Sequence, residues 1–231
     1  MKATATMPED GQSRGSKADM VYADVKEAIL SGALEPGAAI DKMALCERLQ
    51  MSRFPVSTAI NRLAYERLVT IEPQHGSFVA KIAASDVREW LMIRRAVEVE
   101  IAGEMARDFR PATREALDRN LRYGKTAAEA GDASGFYALD VEFHRLIVSG
   151  LGLRQTSEIL EGLRSHLERV RRLLLAPEGR PRHTLEEHQA IMAAFEAGDA
   201  AAARDAMRAH LEATTALFEN FVLQRPNLFS V

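Results

Sequence analysis

Three histidines and one aspartate in the second half of the chain have the residue types and the spacing of a metal site. Asp140 and His144 stand four residues apart in the segment LDVEFHRLIV, so on a helix both side chains project from one face. His188 and His210 each lie in a later segment with apolar neighbours at helical spacing, which favours an inward orientation. Three imidazoles and one carboxylate are a donor set that suits zinc, nickel or a similar divalent ion.

The spacing alone leaves two other interpretations open. Each histidine could be an isolated surface or core residue with its own hydrogen bond, as we expect for His166 and His183. A metal held by these residues could also serve hydrolysis, which requires a general base at the metal. Glu187 precedes His188, but neighbouring helical residues point about 100° apart, so Glu187 is poorly placed for that role.

A helical bundle is the scaffold that would bring these side chains together. After residue 84 the sequence is amphipathic at helical spacing, with short breaks at Gly, Pro or Asp, and such connections favour antiparallel neighbours. We predict a mainly α fold, in which an N-terminal winged helix-turn-helix precedes an antiparallel all-helical bundle of about six helices. The predicted helices are 85–109, 112–130, 134–149, 153–175, 183–197 and 199–223.

The first part of the chain predicts a separate small domain. Residues 1–17 are polar and rich in Gly and Ser, which is typical of a disordered segment. Residues 18–81 contain three short helical patterns followed by two β-like runs around Gln74-His75-Gly76, the order of a winged helix-turn-helix. Residues 85–225 form the predicted bundle domain.

The charge distribution of this small domain favours DNA binding. The whole chain carries a formal charge of −3, but between Arg48 and Lys81 there are five basic residues and only two acidic ones. A DNA-reading helix needs cationic side chains near its start, because they neutralise phosphates and recognise guanine. Arg53 stands at that position of the third helix, and Arg62 lies two and a half turns further along. A solvated basic face is the simpler alternative for these arginines taken alone.

The stretch MSRFPVSTAINRLAYERLVTIEPQHGSFV resembles the winged-helix domain of the GntR family of bacterial transcriptional regulators. Matching positions are Ser52, Arg53, Pro55, Val56, Arg62, Leu63, Gly76 and Val79. The chain departs from the family at Ser57 and Asn61, where arginines are usual, and at Arg67, where glycine is usual. The resemblance implies binding to a double-stranded DNA operator of unknown sequence. The residues expected at DNA are Ser52, Arg53, Ser57, Thr58, Asn61, Arg62, His75 and Gly76.

Residues 85–223 resemble the FCD ligand-binding domain, which forms the C-terminal half of FadR-type GntR regulators. The resemblance implies that a divalent metal is bound, most readily zinc, with nickel and manganese as alternatives. The implied ligands are Asp140, His144, His188 and His210. It also implies that Arg94 meets a small carboxylate effector. The alternative for Arg94 is a salt bridge to Glu98 on a solvated face.

These features together predict a homodimeric, cytoplasmic repressor or activator that is not an enzyme. A dimer is expected because two operator half-sites must be addressed. The single cysteine, Cys46, excludes an internal disulfide and fits a reducing compartment. No apolar run approaches the ~18 residues needed to span a membrane. Two further functions stay open, a metal sensor without organic effector and a metal-dependent hydrolase.

Overall fold

The computed structural model describes residues 16–175 and 179–230, apart from the side chains of 162–166, 173 and 175. Residues 1–15 of the predicted disordered segment, and the predicted surface side chain of His166, lie outside this part. The chain divides into two compact units. The first contains the described residues through Ile29 together with Ala38–Ala80, and the second contains Leu30–Gly37 and the chain from Lys81 onward.

The first unit is a winged helix-turn-helix, as predicted. Its elements are α1 (Lys17–Leu30), α2 (Lys42–Leu49), α3 (Arg53–Tyr65), β1 (Val69–Glu72) and β2 (Gly76–Val79). Apolar side chains one or two turns apart bury one face of each helix in a common core. Helix α1 begins at Lys17, so the last predicted disordered residue is helical.

The starts of α2 and α3 differ in their capping. The Asp41 carboxylate accepts hydrogen bonds from the backbone N–H groups of Met43 and Ala44, as expected for an N-cap. Ser52 occupies the N-cap position of α3, but within the described part of the chain its side chain makes no capping hydrogen bond. Pro55 stands in the first turn of α3, where a missing N–H costs little. The Ser52 hydroxyl is therefore not committed to the helix.

The wing is an antiparallel hairpin of β1 and β2. Its register runs from Val69 opposite Val79 to Glu72 opposite Gly76. The turn uses left-handed backbone at Gln74 (φ 66°), and Gly76 adopts φ 126°, a conformation that favours glycine. This geometry brings the wing tip to the surface.

The described residues of the second unit form a bundle of six helices, in agreement with the predicted number. The helices are α4 (Ala84–Arg107), α5 (Pro111–Ala130), α6 (Ala133–Gly150), α7 (Arg154–Leu175), α8 (Arg180–Glu196) and α9 (Ala200–Gln224). Helix α4 packs along α9, α5 along α6, and α8 along α9. Aliphatic, methionine and phenylalanine side chains from all six helices form the core.

A short parallel pairing joins the two ends of this unit. Strand β3 (Ile82–Ala83) lies directly before α4 and pairs with β4 (Phe229–Ser230), which follows a 3-10 turn at Pro226–Leu228. The Phe229 ring packs edge-on against Phe218 of α9. Sequence reasoning missed this pairing, because two-residue strands have no periodicity to detect. Within the described residues, no helix has the length and apolarity needed to cross a membrane.

Candidate metal and effector site

The structure brings the four predicted ligands into one buried cluster. One ligand atom from each of Asp140, His144, His188 and His210 lies within 4.8 Å of the others, and all four residues are buried. The Nε2 atoms of His210 and His144 are 3.2 Å apart. Asp140 Oδ1 lies 3.5 Å from His188 Nε2 and 3.9 Å from His144 Nε2. Such a cluster could hold a metal ion.

Three helices position these side chains. Asp140 and His144 are one turn apart on α6, while His188 comes from α8 and His210 from α9. The Phe143 ring stacks on the His188 imidazole with centroids 3.9 Å apart and an interplanar angle of 8°. Packing therefore fixes the orientation of this imidazole.

Two carboxylates orient the other histidines from outside the cluster. Glu98 Oε2 of α4 lies 2.6 Å from His144 Nδ1, and Glu187 Oε2 lies 2.7 Å from His210 Nδ1. A carboxylate at Nδ1 favours the proton there and directs the Nε2 lone pair toward a metal. Arg180 holds Glu187 in turn, at 3.1 Å. Glu187 thus lies on the outer side of His210 and not inside the cluster, which fits its poor placement as a general base.

The electrostatics of the cluster keep His144 and His188 neutral and Asp140 charged. Burial is the main cause that lowers the pKa of His144 to about 4, and it lowers the pKa of His188 well below its usual value. Burial alone would raise the pKa of Asp140, but the charge of the adjacent Arg171 guanidinium lowers it. At neutral pH Asp140, His144 and His188 therefore have the protonation state that metal coordination requires.

The polar atoms of the cluster fit a bound cation. His188 Nε2 is buried and has no hydrogen-bond partner among the described residues. With their protons on Nδ1, His144 and His210 direct two Nε2 lone pairs at each other across 3.2 Å. Buried polar groups are normally paired, and a divalent ion would satisfy these three nitrogens together with Asp140.

A small cavity adjoins the cluster. Its volume is about 20 Å³, roughly that of one water-sized group. Polar and charged side chains dominate its wall and include two of the ligands. The lining residues are Arg94, Asp140, Arg171, Leu174, Arg180, Thr184, His210, Thr214 and Leu217.

Arg94 faces this cavity and is buried, so the alternative that placed it on a solvated face is wrong. Its Nε donates to Glu98 Oε1 at 2.6 Å, and both side chains are only 6% exposed. The predicted pairing with Glu98 is present, but both side chains are buried, because α4 packs against α6, α7, α8 and α9. The Nη2 atom of Arg94 has no hydrogen-bond partner among the described residues. That N–H group is available to an anion in the cavity.

Two further arginines of the cavity were missed by sequence reasoning. Arg171 is buried on α7 and contacts the Asp140 carboxylate through Nη2. Arg180 stands at the start of α8 and pairs with Glu187. Arg171 lies among several arginines of a strongly charged helix, and no sequence signal separates it from the surface ones. Its contact with Asp140 identifies it, since Arg169 of the same helix is buried as well.

The structure places most of the predicted DNA residues on the surface of the first unit. Arg62 is exposed as well, but its guanidinium lies 3.8 Å from the centre of the Tyr22 ring and pairs with Asp19 at 3.1 Å. Ser57 is half-buried. The remaining predicted positions are exposed, and they are Ser52, Arg53, Thr58, Asn61, His75 and Gly76.

Comparisons with known proteins agree with this architecture. The model of the bacterial regulatory proteins of the gntR family matches residues 17–79, and the model of the FCD domain matches residues 89–213. An uncharacterized HTH-type transcriptional regulator from an unstable DNA locus of Streptomyces ambofaciens is 31% identical over 211 residues. That alignment covers 91% of this chain and 88% of the relative.

Two other relatives extend the comparison. The HTH-type transcriptional repressor RspR of Escherichia coli K12 is 29% identical over 192 residues, which cover 83% of this chain and 84% of that protein. The solved structure of a putative GntR transcriptional regulator from Rhodococcus sp. RHA1 is 26% identical. It superposes with a TM-score of 0.67, covering 89% of this chain and 98% of that one. The chain therefore belongs to the GntR family of bacterial transcriptional regulators and contains an FCD domain.

Proposed function

We propose that this transcriptional regulator changes its operator affinity when a small carboxylate metabolite binds beside a divalent metal in the second unit. Asp140, His144, His188 and His210 would hold the ion, with zinc as the first choice for a site of three nitrogens and one oxygen. The observation that carries the proposal is the set of buried, converging and incompletely paired ligand atoms in this cluster.

The charges around the cavity support an anionic effector. The arginines at 94, 171 and 180 are balanced by Glu98, Asp140 and Glu187. A divalent ion in the cluster would leave the cavity positive, and a carboxylate would restore the balance. The unpartnered Nη2 of Arg94 would donate to that carboxylate, and the buried Thr184 hydroxyl, also without a partner among the described residues, would bind a second polar group.

An organic effector would have to widen the cavity. A volume of about 20 Å³ is far below the several hundred Å³ of typical ligand pockets. Its wall comes from α4, α6, α7, α8 and α9, so accommodation would shift these helices. Such a shift is the kind of two-state change through which binding in one unit alters binding in another.

Operator binding would use the first unit. We propose contacts from the predicted DNA residues, with Arg53 at the start of α3 as the principal cation at base edges. The relative RspR is named as a repressor, and this chain is proposed to work in the same general manner. A homodimer in the cytoplasm remains the expected form, because two half-sites require two winged helices.

The small cavity also favours a second candidate, in which the metal itself is the signal. A cavity of about 20 Å³ can be filled by a single water molecule, so no organic ligand is needed to occupy it. In that case operator affinity would follow the free metal concentration, and carboxylates would have no effect.

A thermal-shift screen separates these candidates. The metal-loaded protein is heated with small carboxylates, sugar acids and acyl compounds, and the screen is repeated after chelation. A ligand at about 100 times its Kd adds about 2.7 kcal/mol of stability, which is readily measured. Stabilisation that disappears with the chelator supports the proposal. A large shift from metal alone, with none from any carboxylate, supports the metal sensor.

A further inference from the structure

One face of α3 carries an exposed stripe of four side chains, with an aromatic residue at each end. Phe54, Thr58, Asn61 and Tyr65 follow one another at intervals of four, three and four residues, and all are exposed. Residues at these intervals lie above one another on a helix surface. Phe54 is 82% exposed and stands in the first turn, whereas Tyr65 is 90% exposed at the C-terminal end. Phe54 was not among the residues predicted to contact DNA.

The position of Phe54 distinguishes it from an ordinary exposed apolar residue. Single apolar side chains are common on protein surfaces, so exposure alone indicates no partner. However, α3 is the second helix of the helix-turn-helix, and the N-terminal residues of such helices contact base edges in the major groove. Phe54 follows Arg53 in this first turn.

Phe54 and Thr58 together offer an apolar surface to the groove. The Thr58 hydroxyl donates a hydrogen bond to the Phe54 carbonyl at 3.0 Å, which leaves the methyl group as its free part. The only apolar group on the major-groove edge of the base pairs is the C5-methyl of thymine. Asn61, one turn further on, has the amide that pairs with the N6 and N7 atoms of adenine.

The later arginine of α3 is less suited to read a base. Arg62 lies against Tyr22 and forms ion pairs with Asp19 and Glu66, all within the first unit. The Arg62 side chain is 52% exposed, but its guanidinium would have to leave Tyr22 and Asp19 to pair in a bidentate manner with guanine. The exposed centre of α3 thus favours A·T pairs.

We infer that Phe54 is a base-reading residue that packs its ring against the C5-methyl of one thymine in each operator half-site. The Thr58 methyl group adjoins the ring and completes the apolar surface. This inference rests on the DNA-binding role of the family and is independent of the proposed metal and effector site. The group recognised is the C5-methyl of thymine. This methyl group can be removed from the DNA without altering base pairing, because uracil pairs with adenine as thymine does.

The test replaces thymine by uracil in a selected operator. The full-length protein first enriches its preferred duplex from a random pool, and each thymine of that duplex is then replaced singly by uracil. We expect the Kd of the wild type to rise about fourfold at one position per half-site, the effect of losing one buried methyl group. Phe54→Ala changes both half-sites of a dimer, so it should bind the thymine duplex about sixteenfold more weakly. It should not distinguish thymine from uracil at these positions.

Matched variants separate base reading from a general effect. Tyr65 lies about 16 Å from Phe54 along the helix axis, so Tyr65→Ala should keep the wild-type response to uracil. Phe54→Leu should retain part of it. Because Phe54 carries no charge, Phe54→Ala should leave the affinity for a random duplex and the salt dependence unchanged.

Four results would overturn the inference. The first three are a wild type that is indifferent to uracil at every position, a Phe54→Ala variant that keeps the full discrimination, and an equal loss on selected and random duplexes. A selection that enriches no thymine at any half-site position would overturn it as well.

Discussion

At the scale of single residues, the metal cluster depends on groups that do not touch the proposed ion. Glu98 and Glu187 each contact an Nδ1 atom, and these contacts set which nitrogen of His144 and His210 faces inward. Such outer carboxylates fix the tautomer and the ring orientation of a ligand. The four residues of the cluster were predictable from their spacing and from the family resemblance. The contact of Glu187 with His210 was not predictable. Helical spacing shows that Glu187 points away from His188 but not that it reaches His210 on another helix.

We expect Glu187→Gln to lower zinc affinity about 10- to 100-fold, because the His210 imidazole loses the charge that orients it. The matched control is Glu186→Gln, which alters the exposed neighbouring carboxylate and should leave the affinity unchanged. Competition with a chromophoric chelator measures both. Equal affinities for the two variants would contradict the positioning role.

Thr184 provides a second residue-scale prediction. Its hydroxyl is buried and has no hydrogen-bond partner among the described residues. Thr184→Val keeps the shape and removes the polar group, so we expect the free energy of unfolding to rise by about 1 kcal/mol. Chemical denaturation of the protein without effector checks this. A decrease would show that the hydroxyl is satisfied in the free protein.

At the scale of elements, the six helices were predictable because each break in the sequence is marked by Gly, Pro or Asp. The sequence could not indicate which helix faces pack together. Arg94 illustrates the difference, since its pairing with Glu98 follows from four-residue spacing but its burial depends on α7 and α9. The backbone conformation of Arg67 also could not be predicted from the spacing of residues. Arg67 stands where the family usually has glycine, and its backbone is left-handed with φ 58°, a conformation that favours glycine.

Two glycines of the bundle test the packing of its helices. A Cβ on Gly124 would lie 3.5 Å from Leu185, an ordinary contact, whereas one on Gly150 would lie 2.7 Å from the stiff side chain of Thr113. We expect Gly124→Ala to stabilise the protein by about 0.5–1 kcal/mol through helix propensity. Gly150→Ala should destabilise it by about 1–3 kcal/mol through overpacking. Denaturant unfolding of both variants gives the sign, and the same sign for both would contradict this account of the packing.

At the scale of the whole molecule, the predicted DNA residues and the proposed metal cluster belong to different units, so the two proposed functions should be separable by mutation. Arg53→Ala is expected to weaken operator binding without changing metal content, because Arg53 lies on α3 of the first unit. His144→Ala should abolish the effector response while the winged helix stays folded. Gel-shift titration and metal analysis of both variants test this, and loss of metal from Arg53→Ala would contradict it.

Effector binding should act on the operator through a modest coupling free energy. Couplings of about 1–3 kcal/mol are typical and change occupancy about 5- to 150-fold. By reciprocity, operator DNA should change effector affinity by the same factor. Titration of an identified effector with and without operator DNA measures this, and equal affinities would contradict the regulatory proposal.

The central claim is that the buried cluster of Asp140, His144, His188 and His210 holds a divalent ion. Calorimetric titration of zinc into chelator-stripped protein tests it most directly, with His144→Ala and the exposed His183→Ala as a matched pair. We predict one high-affinity ion per chain for the wild type and for His183→Ala, and none for His144→Ala. Equal binding by all three proteins, or no binding by the wild type, would contradict the claim.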